Sequence, residues 1–361
     1  MQVHGGNVYA ASRELSLPIP SILDFSASIN PLGMAPGAVQ AIKDGIKLLA
    51  HYPDPDCHEL KMALSDSLQV DPACLCLGNG STELIYLLPL ALNLRRALVL
   101  GPTFSGYARA VAVAGGKSAV LLADPEDGFR IRVSQAKQSL THSFDAVFVC
   151  NPNNPTGQGL TKQEILELWE AARHVGVPLI VDEAFIEYCE SDSVVREAAT
   201  RAGLLVLRSF TKFYGMPGLR VGYLVAEPGM IRRIQAAQAP WSMNTLAQYA
   251  AAASLGDHDY AKRSRILISV ERPRLVAMLK TLGGFEPQPS CANFLFVRLP
   301  APLMSTDLAA ATRRQGVLIR DCASFERLDQ RWIRVAVRTA PDSARLFNVL
   351  KEALVHVEHS L

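Results

Sequence analysis

The chain has 361 residues, 36 Lys and Arg against 34 Asp and Glu, and a net charge of +2 with 19% charged side chains. That length is enough for a large core divided in two. The near-neutral balance argues against nucleic acid or a membrane surface as a partner.

The chain opens on two polar, turn-rich clusters, His4-Gly-Gly-Asn7 and Asp24-Phe-Ser-Ala-Ser28-Ile-Asn30-Pro-Leu-Gly33. Neither suits a core, so they form an arm draped over the body or loops with a function. Met1 to Asn7 holds no basic leader and no apolar stretch, so no signal peptide is expected. Val39, Ile42, Ile46 and Leu49 fall at helical spacing and predict a helix over 36–50. Tyr52-Pro-Asp-Pro55 ends it in an extended segment, and a second helix is expected over 57–69.

Leu75-Cys-Leu77 reads as a short strand leading into Gly78-Asn-Gly80-Ser81-Thr-Glu83 and the helical run 84–94. A Gly-rich turn before a Ser at a helix start can hold a phosphate on free N–H groups. A plain N-cap explains Ser81 equally well. The run 84–94 is broken by Pro89 and is too short to span a bilayer. Among the seven Cys only Cys74-x-Cys76 is closely spaced, so a cytoplasmic protein with reduced thiols and no bound metal is expected.

Strands and helices then alternate: strand 97–100, helix 105–114, strand 118–122, helix 134–140 and strand 145–150. This pattern predicts an α/β fold whose mostly parallel sheet binds ligands at the carboxyl ends of its strands. Phe104 either offers its face to a planar ring or fills the core. Strand 145–150 ends in Asn151-Pro-Asn-Asn154-Pro-Thr-Gly157, a fixed turn rich in amides, and a helix over 161–175 follows. Strand 178–181 ends in Asp182-Glu183-Ala-Phe185. A carboxylate buried at a strand tip needs a partner: a helix cap, a salt bridge, or a pyridinium N–H whose charge would keep Asp182 ionised.

The strand 204–207 runs into Ser209-Phe-Thr-Lys212-Phe-Tyr-Gly-Met-Pro-Gly218-Leu-Arg220. A Lys at a strand end inside a pocket can lose its proton and bond an aldehyde as a Schiff base. The Ser209 hydroxyl and the Arg220 guanidinium can hold a phosphate. Aldehyde and phosphate together suggest pyridoxal 5′-phosphate (PLP); the alternative is a surface loop with an ordinary Lys. A strand over 219–226, helices over 228–238 and 245–255 and a long basic amphipathic segment over 258–281 come next. Strands at 293–299, 317–320 and 332–337 with helices at 305–315 and 342–358 predict a smaller α+β domain. The expected division is 1–47 as N-terminal arm and part of the small domain, 48–245 as the large domain and 246–361 as the C-terminal small domain. Arg320 and Arg334 each sit in an apolar strand, as structural salt bridges or as anion clamps; Arg338 is expected on the surface.

Three motifs, Asn-Pro-x-Asn-Pro-Thr-Gly (151–157), Asp-Glu-Ala-Phe (182–185) and Ser-x-x-Lys…Gly-Leu-Arg-x-Gly (209–222), occur in this order. Together they resemble the class I/II aminotransferase family of PLP enzymes, fold type I, over nearly the whole chain. The resemblance implies a catalytic Lys212 bonded to PLP, Asp182 on the pyridine nitrogen, Asn154 on the ring hydroxyl and Phe104 stacked on the ring. It assigns the cofactor phosphate to Gly80, Ser81, Ser209 and Arg220, and brings Tyr52 in from the second subunit of a homodimer. Asn154 would also border the substrate, with Arg334 as its carboxylate clamp. Phe185 departs from the pattern, since many relatives carry there a Tyr that bonds the ring hydroxyl. Both ends of the chain resemble a branch that decarboxylates a phosphorylated amino acid, through His4 to Asn7, Asp24 to Gly33, Tyr52-Pro-Asp, Pro240-Trp-Ser-Met-Asn244 and Ile319-Arg-Asp-Cys322. That likeness implies His4, Asn30 and Arg320 on the substrate phosphate. Aminotransferases acting on a phosphorylated substrate share these features and compete with it; a non-catalytic regulator of this fold is the remote alternative.

Overall fold

The computed structural model describes residues 5–358, so His4 lies outside the described residues. Seven strands form one sheet in the order Leu75–Asn79, Val221–Val225, Leu204–Ser209, Leu179–Asp182, Ala146–Cys150, Arg96–Gly101 and Lys117–Leu122. Only Val221–Val225 runs against its neighbours; the pairings from Leu204–Ser209 to Lys117–Leu122 are parallel. The central strands Ala146–Cys150, Leu179–Asp182 and Leu204–Ser209 are buried end to end. Helices cover both faces of such a sheet, which is why these strands read as unbroken apolar runs rather than as alternating ones. The edge strand Lys117–Leu122 does alternate, starting from an exposed Lys117, and a charged edge discourages pairing with another chain.

A four-stranded antiparallel sheet follows in the order Arg320–Asp321, Trp332–Ala336, Phe294–Arg298, Glu286–Pro287. Leu295, Ile333 and Val335 of this sheet pack with Leu308, Leu346 and Leu350 of the helices Ser305–Arg314 and Ala340–Glu358. The N-terminal arm joins this body: Leu23–Asp24 pairs in parallel with Val317–Leu318, and Phe25 is buried in the same cluster. The single strand expected over 317–320 is therefore two short ones serving different sheets, because Ile319 lies between the two pairings.

Two expected boundaries need correction. Helix Pro36–Gly45, continued by a 3-10 turn over Ile46–Ala50, packs on Thr245–Leu255 through Ala38, Ala247, Ala250 and Ala251. Gly45 lies so close that a Cβ there would stand 3.1 Å from Leu246 Cδ2. Small residues on both helices allow this approach, and it ties residues 36–45 and 245–255 to the large body rather than to the small one. The segment after it is one 23-residue helix, His258–Lys280, with Pro273 inside. Arg338 is half-buried, donating to Asp342 Oδ2 at 3.0 Å with its guanidinium 5.7 Å from the Phe25 ring centroid. Among the described residues no helix is long and apolar enough to cross a membrane.

Candidate active site

A cavity of about 330 Å³ opens where the carboxyl ends of the large sheet meet the small sheet. Ser81, Phe104, Asn154, Asp182, Ser209, Lys212, Arg220, Arg320 and Arg334 all line it. The parallel strands explain the convergence: each loop leaving a strand at that edge delivers its first residues to one rim. Arg220 reaches the same rim from the start of the reversed strand. Among the described residues the lining carries four cationic side chains, Lys212, Arg220, Arg320 and Arg334, against the single carboxylate of Asp182.

Asp182 ends its strand with its carboxylate fully enclosed. Its Oδ2 accepts from the Tyr107 hydroxyl at 2.7 Å and its Oδ1 from the Ala184 N–H at 3.1 Å. Burial pushes its pKa up to about 6 against those two donors. The Lys212 amine is pushed down to about 8, chiefly by burial and then by Arg334 and Arg220. An amine near 8 supplies a useful fraction of neutral nucleophile at ordinary pH.

At one end of the cavity, helix Ser81–Leu92 opens behind Gly80, which has φ +78. A Cβ on Gly80 would come within 2.6 Å of Arg220 Nη2, and one on Gly222 within 2.1 Å of the Ser81 nitrogen. Glycine at both positions therefore keeps a guanidinium and a helix N-terminus together, an arrangement suited to a phosphate. Arg220 itself has a left-handed backbone, φ +62, which costs about 1–3 kcal/mol in a non-glycine residue. Ser209 Oγ lies 2.8 Å from Thr211 Oγ1, giving a hydroxyl pair on the same wall.

Arg334 enters from the small sheet. Its guanidinium donates to Asn154 Oδ1 and, at 2.8 Å, to the Ser26 carbonyl, while its buried Nε has no hydrogen-bond partner. Burial lowers its pKa to about 10. Arg320 donates to Ser324 Oγ at 2.8 Å and lies over the Phe325 ring at 5.4 Å. Phe185 is buried at the wall, edge-on to Phe294 at 5.0 Å.

Asn30 lies elsewhere, and Tyr52, expected from a second subunit, lies outside this cavity as that expectation requires. Asn30 is not in the cavity lining: its side-chain amide donates to the Phe213 carbonyl at 2.7 Å and to Ser264 Oγ at 2.7 Å. Its backbone N–H donates to the Lys212 carbonyl at 3.0 Å. Buried amides must be satisfied, so Asn30 is spent on pinning the Lys212 loop. Tyr52 is 80% exposed and stacks on Trp241 at 4.8 Å, outside the cavity of its own chain. The sequence reading missed Tyr107, Thr211, Ser26 and Phe325, all of which line the cavity. Tyr107 follows Phe104 by three residues, and that spacing was the available signal.

An amine, a buried carboxylate, paired hydroxyls and a guanidinium at a helix N-terminus form a donor set that fits PLP. Lys212 would hold its aldehyde, Asp182 its pyridine nitrogen, and Gly80, Ser81, Ser209 and Arg220 its phosphate. Comparison with known proteins agrees with this chemistry. A family profile described as aminotransferase class I and II matches residues 20–351. The chain is 34% identical to a threonine-phosphate decarboxylase of Salmonella typhimurium, covering 98% of this chain and 97% of that one. It is 33% identical to a histidinol-phosphate aminotransferase of Moorella thermoacetica, covering 98% and 90%. The crystal structure of L-threonine-O-3-phosphate decarboxylase from Porphyromonas gingivalis superposes with a TM-score of 0.82 at 25% identity, over 92% of this chain and 99% of that one. With the profile spanning nearly its whole length and a relative above 30% identity end to end, this chain belongs to the aminotransferase class I and II family, with the PLP fold type I architecture.

Proposed function

We propose that the protein is a PLP-dependent decarboxylase that converts L-threonine O-3-phosphate into (R)-1-aminopropan-2-ol O-phosphate, serving the nucleotide-loop linker of cobalamin. The observation that supports this reading is the presence, among the described residues, of three separately held guanidinium groups, Arg220, Arg334 and Arg320, in one cavity whose lining has one carboxylate. One suits the cofactor phosphate, one a substrate carboxylate, and a third calls for a further anion on the substrate.

PLP, when bound, draws electrons from the substrate Cα and weakens whichever Cα bond stands perpendicular to its ring. The chain's own residues decide which bond that is. Arg334 and Arg320 fix the substrate at two points, its carboxylate and its phosphate, and so set rotation about the Cα–N axis. Asn154 holds Arg334 in place and would meet the ring hydroxyl of the bound cofactor. Lys212 Nζ, half-buried and with its pKa lowered to about 8, can carry a proton at the Cα position, where carbon dioxide leaves and one proton must arrive. Phe104 and Phe185 keep water from the wall beside it.

We read the protein as a cytoplasmic homodimer in which Tyr52 reaches the partner's cofactor phosphate. Ile46, Leu49, Tyr52, Trp241 and Tyr249 expose their apolar side chains in the segments bordering Tyr52, which supports a covered face there. Near-equal identity to an aminotransferase makes a histidinol-phosphate-type transamination the second reading. The test is carbon dioxide release from threonine and serine O-phosphates without any keto-acid acceptor. Release supports the decarboxylase; glutamate formed from 2-oxoglutarate and histidinol phosphate, with no such release, would replace it.

A further inference from the structure

Tyr107 is a polar residue of the cavity to which neither the motifs nor the proposed chemistry gives a task. It lies in the first turn of helix Gly106–Val113 and is 1% exposed. Its ring stacks on Phe148 at 5.5 Å and meets the edge of Phe104 at 5.5 Å, which leaves the hydroxyl a fixed direction. That hydroxyl donates to Asp182 Oδ2 at 2.7 Å.

The groups facing Asp182 are few. Glu183 is occupied by Arg208 at 2.9 Å, Ser193 Oγ at 2.7 Å and the Val194 N–H at 2.8 Å. The Cys150 thiol is pushed by burial up to about 12, so it stays neutral, and it points to the Pro152 carbonyl at 3.2 Å. Lys212 lowers the Asp182 pKa less than the Tyr107 and Ala184 hydrogen bonds do. Burial also raises the Tyr107 phenol well above its usual value, so it remains a donor wherever Asp182 is ionised. One phenol and one amide are thus the hydrogen bonds that hold this buried charge.

We propose that Tyr107 is a positioning residue that acts on the cofactor ring through Asp182, its hydroxyl fixing the orientation and the charge of the carboxylate that meets the pyridine nitrogen. With Oδ2 bound to Tyr107 and Oδ1 to the Ala184 N–H, the carboxylate is held in one orientation and keeps lone pairs for the ring nitrogen. A hydrogen bond to an ionised group is among the stronger neutral-donor contacts, and its loss in a buried site leaves the carboxylate poorly satisfied. The inference rests on the reading of Asp182 as the partner of the ring nitrogen.

The test uses Tyr107→Phe, which removes one oxygen and keeps the stacked ring. Cofactor-free wild-type and variant proteins are titrated by absorbance with PLP and with 1-deaza-PLP, the analogue that has CH in place of the ring nitrogen. Wild type should prefer PLP, and Tyr107→Phe should weaken PLP by about three- to tenfold while changing the deaza analogue less than about twofold. Any general loss of stability would weaken both ligands alike, so equal weakening of the two overturns the proposal. So does a variant indistinguishable from wild type with PLP. A wild-type protein that binds PLP and 1-deaza-PLP equally would fail the Asp182 reading itself, and the proposal with it. A wild-type preference for PLP that Tyr107→Phe leaves untouched fails the proposal alone.

Discussion

Replacing Arg320 by Ala tests the substrate class most directly. Arg320 sits on a strand of the small sheet, 7% exposed, whereas the cavity residues assigned to the cofactor lie on the large sheet or on the loops and helix leaving its strands. A hydrogen bond to a charged group is worth about 1.5–3 kcal/mol. At about 1.4 kcal/mol per factor of ten, losing one such anchor should lower kcat/KM for threonine O-3-phosphate by roughly 10- to 150-fold. The affinity for PLP should move by less than about twofold, because sites without shared partners are nearly additive. The contact with the Phe325 ring contributes about 0.5–1 kcal/mol to stability, so the fold should survive; Arg320→Gln, which keeps most of the bulk, controls for that loss. The assays are carbon dioxide release and PLP titration on the same preparation, with unphosphorylated threonine as the second substrate. Equal losses in cofactor and substrate binding, or an equal loss with plain threonine, would refute the assignment of Arg320 to a substrate phosphate.

The Lys212→Ala protein should lose reductive trapping of PLP by borohydride, read as a covalent mass increase in wild type and its absence in the variant. Capture of PLP by cofactor-free wild type needs the neutral amine, so its rate should rise with pH and level off above about 8; for that pKa the neutral fraction grows about fiftyfold between pH 6 and pH 8. A flat rate across that range would contradict the lowered value. Gly222→Ala places a methyl against the Ser81 amide and should weaken PLP by roughly tenfold or more, measured by equilibrium titration against an unchanged circular dichroism spectrum. Arg208→Met leaves Glu183 as an unpaired buried charge, since Arg208 Nε is its 2.9 Å partner and both side chains are almost fully enclosed. That should cost about 3–5 kcal/mol, seen as a lower urea midpoint, and a loss below about 1 kcal/mol would refute a stabilising part for this pair.

Much of this site was legible because its residues sit where strands end. Asp182, Asn154 and the Ser209–Lys212 loop each close an apolar run, and a parallel sheet brings such positions to one rim. Helix ends were close too: the run expected over 161–175 is a helix over Lys162–His174, opened by a capping box in which Thr161 Oγ1 accepts from the Glu164 N–H at 3.2 Å. What local pattern could not give was pairing across long separations. The hydroxyl of Tyr107 and the carboxylate of Asp182 are 75 residues apart, and the Asn30 amide meets Ser264 across 234. A buried Asn in a Pro- and Gly-rich segment reads the same whether it waits for a ligand or ties two loops. Only the tertiary partners, Phe213 and Ser264, distinguish the two. The split of 317–320 has the same origin, because the arm strand that claims Val317–Leu318 lies some 294 residues upstream, Leu23 facing Val317.

The open alternative for the cavity arginines, salt bridge or anion clamp, turns on what already neutralises them. Arg208 shows the structural answer: a buried guanidinium with Glu183 against it, closed to any ligand. Arg334 is held differently. Its partners are the Asn154 amide oxygen and the Ser26 carbonyl, both uncharged, and one of its nitrogens is buried without an acceptor. Arg220 likewise donates to a carbonyl, that of Pro217 at 3.2 Å. Neutral acceptors orient a guanidinium without cancelling its charge, so the protein carries the desolvation cost of the buried Arg334 and leaves the attraction of both groups unused until an anion arrives. The lowered pKa of Lys212 reports the same imbalance, since Arg334 and Arg220 are the charges that push it down after burial itself. Bringing phosphate and carboxylate into the cavity should therefore raise the affinity of Lys212 for its proton, which couples occupancy of the anion sites to the protonation of the amine at the reacting carbon.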